Sequence, residues 1–235
     1  MRSVIMAAVC GLALAGCQVA PVETAPAPTP RSTSPAPVGG SVAVTNFRAA
    51  VARVEPAAET LCRSRTQGIN CDFLIQVDPD PRKPANAFQS LDRSGRPVLT
   101  FTQALIADAR NVDEIAFVLG HESAHHIEQH IARQRQSAVA GAVVGGLIGT
   151  VIGADASTVD AISRTGATIG ARRFSKDHEL EADALGTIIT ARAGFNPVRG
   201  AAFFTRIPDP GDRFLGTHPP NADRIATVQR VASGL

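Results

Sequence analysis

Apolar and polar positions alternate in "CDFLIQVD", which puts Phe73, Ile75 and Val77 on one face of a strand. "NAFQSLDRSGRPVLTF" reads as two more strands around a turn at Asp92-Arg93-Ser94-Gly95. Elsewhere after residue 40 the rhythm is helical. "SVAVTNFRAAVARVEPAAETLCRS" predicts a first helix over roughly 44–64, bent or divided at Pro56. "TQALIADAR" predicts a short helix. Asn111 can cap the next one, and Asp113 and Glu114 suit its positive end. That helix runs through "DEIAFVLG" into "HESAHHIEQHIARQ". Three more helices are expected in "KDHELEADALGTIITARAG", "NPVRGAAFFTRI" and "PPNADRIATVQRVAS". The second of these has Asn196 as cap and Pro197 at its first position.

A glycine pattern interrupts this series. Gly141, Gly145, Gly149 and Gly153 recur every four residues and so share one helical face, where backbones can approach closely. Gly166 and Gly170 repeat the spacing. The prediction is a helical hairpin near the active-site cleft, with residues 153–157 as its turn. A lid over the cleft and a membrane contact are the competing readings. Residues 137–154 are long enough to span a bilayer, but a single span would separate His121 from Glu179. Asp160 and Arg164 interrupt the segment that a second span would need.

The first forty residues follow neither rhythm. "MRSVIMAAVCGLALAGC" has one Arg, a short apolar run and small residues at its end, the layout of a secretory signal. Leu14-Ala15-Gly16-Cys17 resembles a bacterial lipobox, which implies cleavage before Cys17 and lipid on that residue. Gln18, which is not Asp, favours the outer membrane. "PVETAPAPTPRSTSPAPVGG" cannot bury a core and reads as a tether. The expected organisation is signal peptide 1–16, lipidated Cys17 and tether 17–40, and a folded domain 41–235 on the periplasmic side. An oxidising compartment makes Cys62 and Cys71 a natural disulfide, closing a short loop and stabilising by roughly 2–3 kcal/mol. Two free buried thiols are the alternative.

Composition adds little. The formal net charge is +2 with no long basic run, so nucleic acid is not expected as a partner. Trp and Tyr are absent, which leaves an aliphatic core.

The chemistry concentrates at His121-Glu122-Ser123-Ala124-His125, an H-E-x-x-H pattern. Two imidazoles one helical turn apart can reach a single tetrahedral ion. Glu122 stands beside them, placed to take a proton from water. His126 and His130 share the four-residue spacing but fall on another face. They are read as exposed or as residues behind the ligands, not as ligands. A catalytic zinc needs a third protein ligand. "HELEADALG" offers Glu179 and Asp183, one turn apart, with Glu179 able to bind the ion and Asp183 able to orient a ligand imidazole. A solvated acidic face pairing with Lys176 or Arg192 is the plainer reading of that helix.

Taken in order, H-E-x-x-H, E-x-E-A-D-x-x-G, A-G-F-N-P and T-H-P-P with a following Arg-Ile resemble the HtpX-like and CAAX prenyl endopeptidase-like zinc metallopeptidases. These are gluzincins, family forty-eight of the metallo class. The periplasmic, BepA-like lipoprotein type is nearest, and the likeness runs from about Asn86 to Arg224. The resemblance implies an α+β, mainly helical zincin-like domain with a small antiparallel or mixed sheet beside the active-site helix. It implies one Zn2+ held by His121, His125 and Glu179, with Glu122 as base and Asp183 behind the ligands. It gives His218 a place near the metal, stabilising the oxyanion or filling the open position at rest, with Arg224 assisting. Asn86, Ala87 and Phe88 match the family's strand beside the cleft, where an extended peptide could pair. The expected activity is endopeptidase cleavage of envelope proteins, misfolded ones by family analogy. The expected membrane contact is the lipid on Cys17. A zinc-containing lipoprotein that binds or escorts proteins without cutting them is the alternative.

Overall fold

The computed structural model describes residues 40–173, 175–209 and 219–235. The first helix, α1, runs without interruption over Gly40–Arg65. Ala50, Val54, Ala58 and Leu61 form its buried stripe. Pro56 does not divide it. Pro56 lies on the exposed side, as does Ala52, whose carbonyl loses a helical donor and stays open to water. A disulfide joins Cys62 at the end of α1 to Cys71.

Three strands follow: β1 (Leu74–Val77), β2 (Ala87–Leu91) and β3 (Pro97–Phe101). Their order is β1-β3-β2, with β1 parallel and β2 antiparallel to β3. β3 is buried along its whole length, and Pro97 opens it, where a missing N–H is tolerated. The β2–β3 turn is held by Asp92, whose carboxylate accepts from the N–H groups of Ser94 and Arg96 while Gly95 takes a φ of 82°. Phe73 and Ile75 turn inward as expected, but Val77 is exposed.

The helices α2 (Gln103–Asp108) and α3 (Val112–Ile127) come next, and α3 packs against α1. The Asn111 side chain accepts from the N–H groups of Asp113 and Glu114 and so caps α3. Asp113 and Glu114 are buried, paired with Arg199 and Arg206.

Here the chain departs from the expected single long helix. Gln129 takes φ 55°, ψ 37°, the left-handed region, and ends α3. A new helix, α4, covers His130–Val151 and returns as α5 (Ala156–Arg173) around Gly153 at φ 71°. The predicted glycine contact is present. A Cβ on Gly141 would lie 2.1 Å from the Gly166 carbonyl oxygen, and one on Gly145 would lie 2.6 Å from that of Ile162.

The remaining helices are α6 (Ser175–Arg192), α7 (Pro197–Ala201, capped by Asn196 and continued by a short 3-10 turn) and α8 (Asn221–Ala232). α6 crosses α3 at a second glycine pair. A Cβ on Gly186 would meet the His121 backbone nitrogen at 2.8 Å, and one on Gly120 would meet the Gly186 carbonyl oxygen at 2.8 Å. The architecture is mainly helical α+β with a small mixed sheet.

Candidate metal centre

The α3–α6 crossing brings two helix faces together at polar side chains. α3 contributes His121, Glu122 and His125, and α6 contributes Glu179 and Asp183. The Nε2 atoms of His121 and His125 are 3.0 Å apart. Oxygens of the Glu179 carboxylate lie 3.6 Å from the first and 3.4 Å from the second. A tetrahedral zinc with bonds of about 2.0–2.1 Å has ligand–ligand edges of about 3.3 Å. The three separations bracket that value, so the donor set fits one small divalent cation. Its chemistry also fits: two imidazoles and a carboxylate with room for a fourth group.

Each imidazole is held from behind by a different device. His121 Nδ1 is 2.8 Å from an oxygen of Asp183. Asp183 is fully buried and accepts two hydrogen bonds of 2.7 Å from Arg224. The Arg224 guanidinium stacks 3.9 Å from the centre of the Phe204 ring. Burial works against a proton on His121, but its hydrogen bonds to Asp183 and Glu179 outweigh that and push its pKa up to about 10. A carboxylate pair that attracts a proton so strongly also attracts a cation. Burial likewise opposes charge on Asp183, and the hydrogen bonds from Arg224 and His121 overcome it and hold its pKa below the usual range.

Behind His125 stands His130, the first residue of α4. Their Nδ1 atoms are 2.8 Å apart. His130 Nε2 is 3.1 Å from Glu181, which accepts from Arg133 at 2.5 Å. His130 also stacks on His178 with ring centres 4.3 Å apart. Burial, then the neighbouring His125, lowers the His130 pKa to about 3. A neutral imidazole has one N–H and one lone pair. It can accept from His125 Nδ1–H and donate to Glu181 in the same tautomer.

A cavity of about 550 Å³ opens over the His–His–Glu cluster. Glu122 lines it beside the two imidazoles, and Asn86, Ala87 and Phe88 line its wall. Among the described residues β2 is an edge strand, and no described strand pairs with its outer side in that wall. Thr102 fixes the start of the strand: its N–H donates to the Asn86 carbonyl, and its hydroxyl accepts from the Asn86 N–H.

The structure thus brings together His121, Glu122, His125, Glu179, Asp183 and Arg224, with Asn86, Ala87 and Phe88 at the same cleft. Cys62 and Cys71 are bonded to each other elsewhere. Cys17 and His218 lie outside the described residues. His126 and His130 are both buried, and of the two expectations, exposure or a place behind the ligands, His130 meets the second by contacting His125. His126 meets the Asn70 carbonyl at 2.6 Å and serves the core. The roles of Glu181 and Arg133 were not read from sequence. They depend on the helix break at Gln129, which no Gly or Pro announces.

A model of peptidase family M48 matches residues 53–232. A Vibrio cholerae protein named "Putative beta-barrel assembly-enhancing protease" is 33% identical over 172 residues, 65% of this chain and 35% of that protein. The "Mitochondrial metalloendopeptidase OMA1" of Saccharomyces cerevisiae is 30% identical over 169 residues, 66% of this chain and 46% of the relative. The chain therefore spans between about a third and a half of these relatives' lengths. A family match over most of the folded residues meets a cleft whose donors suit a divalent cation, and the chain belongs to the metallopeptidases of family M48.

Proposed function

We propose that this protein is a zinc-dependent endopeptidase of the bacterial cell envelope, of the periplasmic BepA-like lipoprotein type. His121, His125 and Glu179 hold the ion. The observation that carries this reading is the 3.0–3.6 Å spacing of their donor atoms, with Glu122 beside them in the cleft. When bound, the ion supplies Lewis acidity, which lowers the pKa of water and polarises a carbonyl. Glu122 takes the proton from the attacking water. As the new C–O bond forms and the C–N bond breaks, Glu122 passes that proton to the leaving amine. His218, by resemblance, donates to the oxyanion.

The residues behind the ligands keep both Nε2 atoms aimed at the ion. Asp183, clamped by Arg224, fixes the tautomer of His121. His130, anchored by Glu181 and Arg133, does the same for His125. An extended peptide adds to the β2 edge at Asn86, Ala87 and Phe88, and so presents its backbone to Glu122. The substrates are envelope proteins, misfolded ones among them. Residues 1–16 are a signal peptide, lipid on Cys17 anchors the chain facing the periplasm, and residues 17–40 tether the 41–235 domain. The Vibrio relative's name supports an envelope setting, and the composition of the first forty residues supports the anchor.

The test is Glu122→Gln. This variant should keep one zinc per chain by elemental analysis while casein hydrolysis falls by about 10²–10⁴-fold. Hydrolysis at the wild-type rate would remove Glu122 from the mechanism. Zinc binding without hydrolysis in the wild-type chain would instead favour a binding module.

A further inference from the structure

α4 is apolar on the side that faces α5 and on the side that does not. Val139, Val143, Val144, Leu147, Ile148 and Val151 are between 53% and 85% exposed. At about 100° per residue these positions sweep roughly half the circumference of the helix. No Asp, Glu, Lys or Arg occurs between Arg135 and Asp155. The outer side of α5 is different, with Asp160 and Arg164 paired at 2.6 Å and Thr165 and Thr168 exposed. The hairpin therefore has one wide aliphatic face and one polar face.

After Gln136, α4 has no charged side chain on any face; such a helical stretch belongs in an apolar medium, and three features identify that medium. A specific protein interface uses aromatic or Arg anchors inside a polar rim, and residues 136–154 contain no aromatic or charged residue. A paired copy of the helix needs only a narrow seam, and half a circumference is far wider. The chain that precedes α1 also carries the lipid attachment proposed above. Fully extended, the tether from Cys17 to Gly40 reaches roughly 70 Å, which keeps α4 within range of a bilayer. No helix among the described residues is long and apolar enough to cross a membrane.

We propose that the outer face of α4 docks in the plane of a phospholipid bilayer, with α5 turned to water. The reading rests on the proposed lipid anchor only for proximity. The binding is apolar and needs no anionic headgroup. Because α4 begins at His130, which touches His125, the docked helix starts at the metal centre. The cleft would then work close to the membrane surface, beside substrates that are leaving or entering the bilayer.

The test uses the full-length chain with an environment-sensitive fluorophore on a single introduced cysteine, Val143→Cys or Val151→Cys, and Thr168→Cys as the control on α5. Vesicles are phosphatidylethanolamine with phosphatidylglycerol, and separately phosphatidylcholine alone. At 143 and 151 the emission should move to shorter wavelength, and doxyl-labelled lipid should quench it by about twofold or more. At 168 neither should change, and the two vesicle types should behave alike. Probes at 143 and 151 that stay as wet as the one at 168 would overturn the proposal. So would probes shielded from water without quenching by lipid, since another polypeptide would then cover the face. Dependence on phosphatidylglycerol would also overturn it. If mass spectrometry finds no lipid on Cys17 and added vesicles still shift the probes, the anchor fails and the docking face stands. The readout does not involve hydrolysis.

Discussion

Two helix pairs in this molecule are built with the same device and used for opposite ends. α3 and α6 cross at Gly120 and Gly186, and α4 and α5 cross at Gly141, Gly145 and Gly166. In both, a Cβ at the contact would strike backbone, so the helices lie closer than side chains would allow. At the first crossing the flanking residues are His121, Glu179 and Asp183, all buried within a core that includes Phe117, Leu119 and Ile189. At the second they are Val, Leu and Ile with one side left open. Close approach in the first pair places charged groups within reach of one ion. In the second it leaves an apolar surface on a hairpin that meets the rest of the fold mainly through its chain neighbours α3 and α6.

If the two crossings are separable, filling them should have different consequences. Gly186→Leu drives a side chain into the His121 backbone, which cannot yield. We expect a loss of about 3 kcal/mol or more in stability together with loss of bound zinc, read by denaturant melts and metal content. Gly145→Leu should part α4 from α5 at a cost of about 1–3 kcal/mol. The extra damage should be confined to the hairpin, seen as faster amide exchange there, with zinc content unchanged. Equal loss of zinc in both variants would mean that the hairpin and the metal centre form one unit.

A smaller effect is expected where the two regions touch, at His130. His130→Ala removes the partner of His125 Nδ1 and should weaken zinc binding by about 10–100-fold. His130→Asn, which can still accept from that N–H, should recover part of the affinity. Unchanged affinity in His130→Ala would make the 2.8 Å contact incidental.

These regions also differ in how far they could be read in advance. Caps, turns and glycine faces are short-range physics, so Asn111, Asn196, the Asp92–Gly95 turn and the hairpin were all legible. His121, Glu122, His125, Glu179 and Asp183 were legible too, because one-turn spacing on two helices is a local pattern. The anchoring of His130 by Glu181 and Arg133 was not. It joins residues about fifty positions apart, and it exists only because Gln129 adopts a left-handed conformation that no local signal requires. That α1 runs on past Pro56 without dividing was not legible for a related reason: exposure, which sequence does not give, decides whether an unpaired carbonyl matters. Arg224 entered through family resemblance alone, since no spacing reveals a bidentate clamp on Asp183.

Whether His121, His125 and Glu179 bind zinc can be read from zinc-edge X-ray absorption on the full-length chain. The expected result is a shell of nitrogen and oxygen alone at about 2.0–2.2 Å, with imidazole scattering from two histidines, and loss of stoichiometric zinc in Glu179→Ala. A sulfur shell at about 2.3 Å, or full zinc occupancy in Glu179→Ala, would rule out this ligand set.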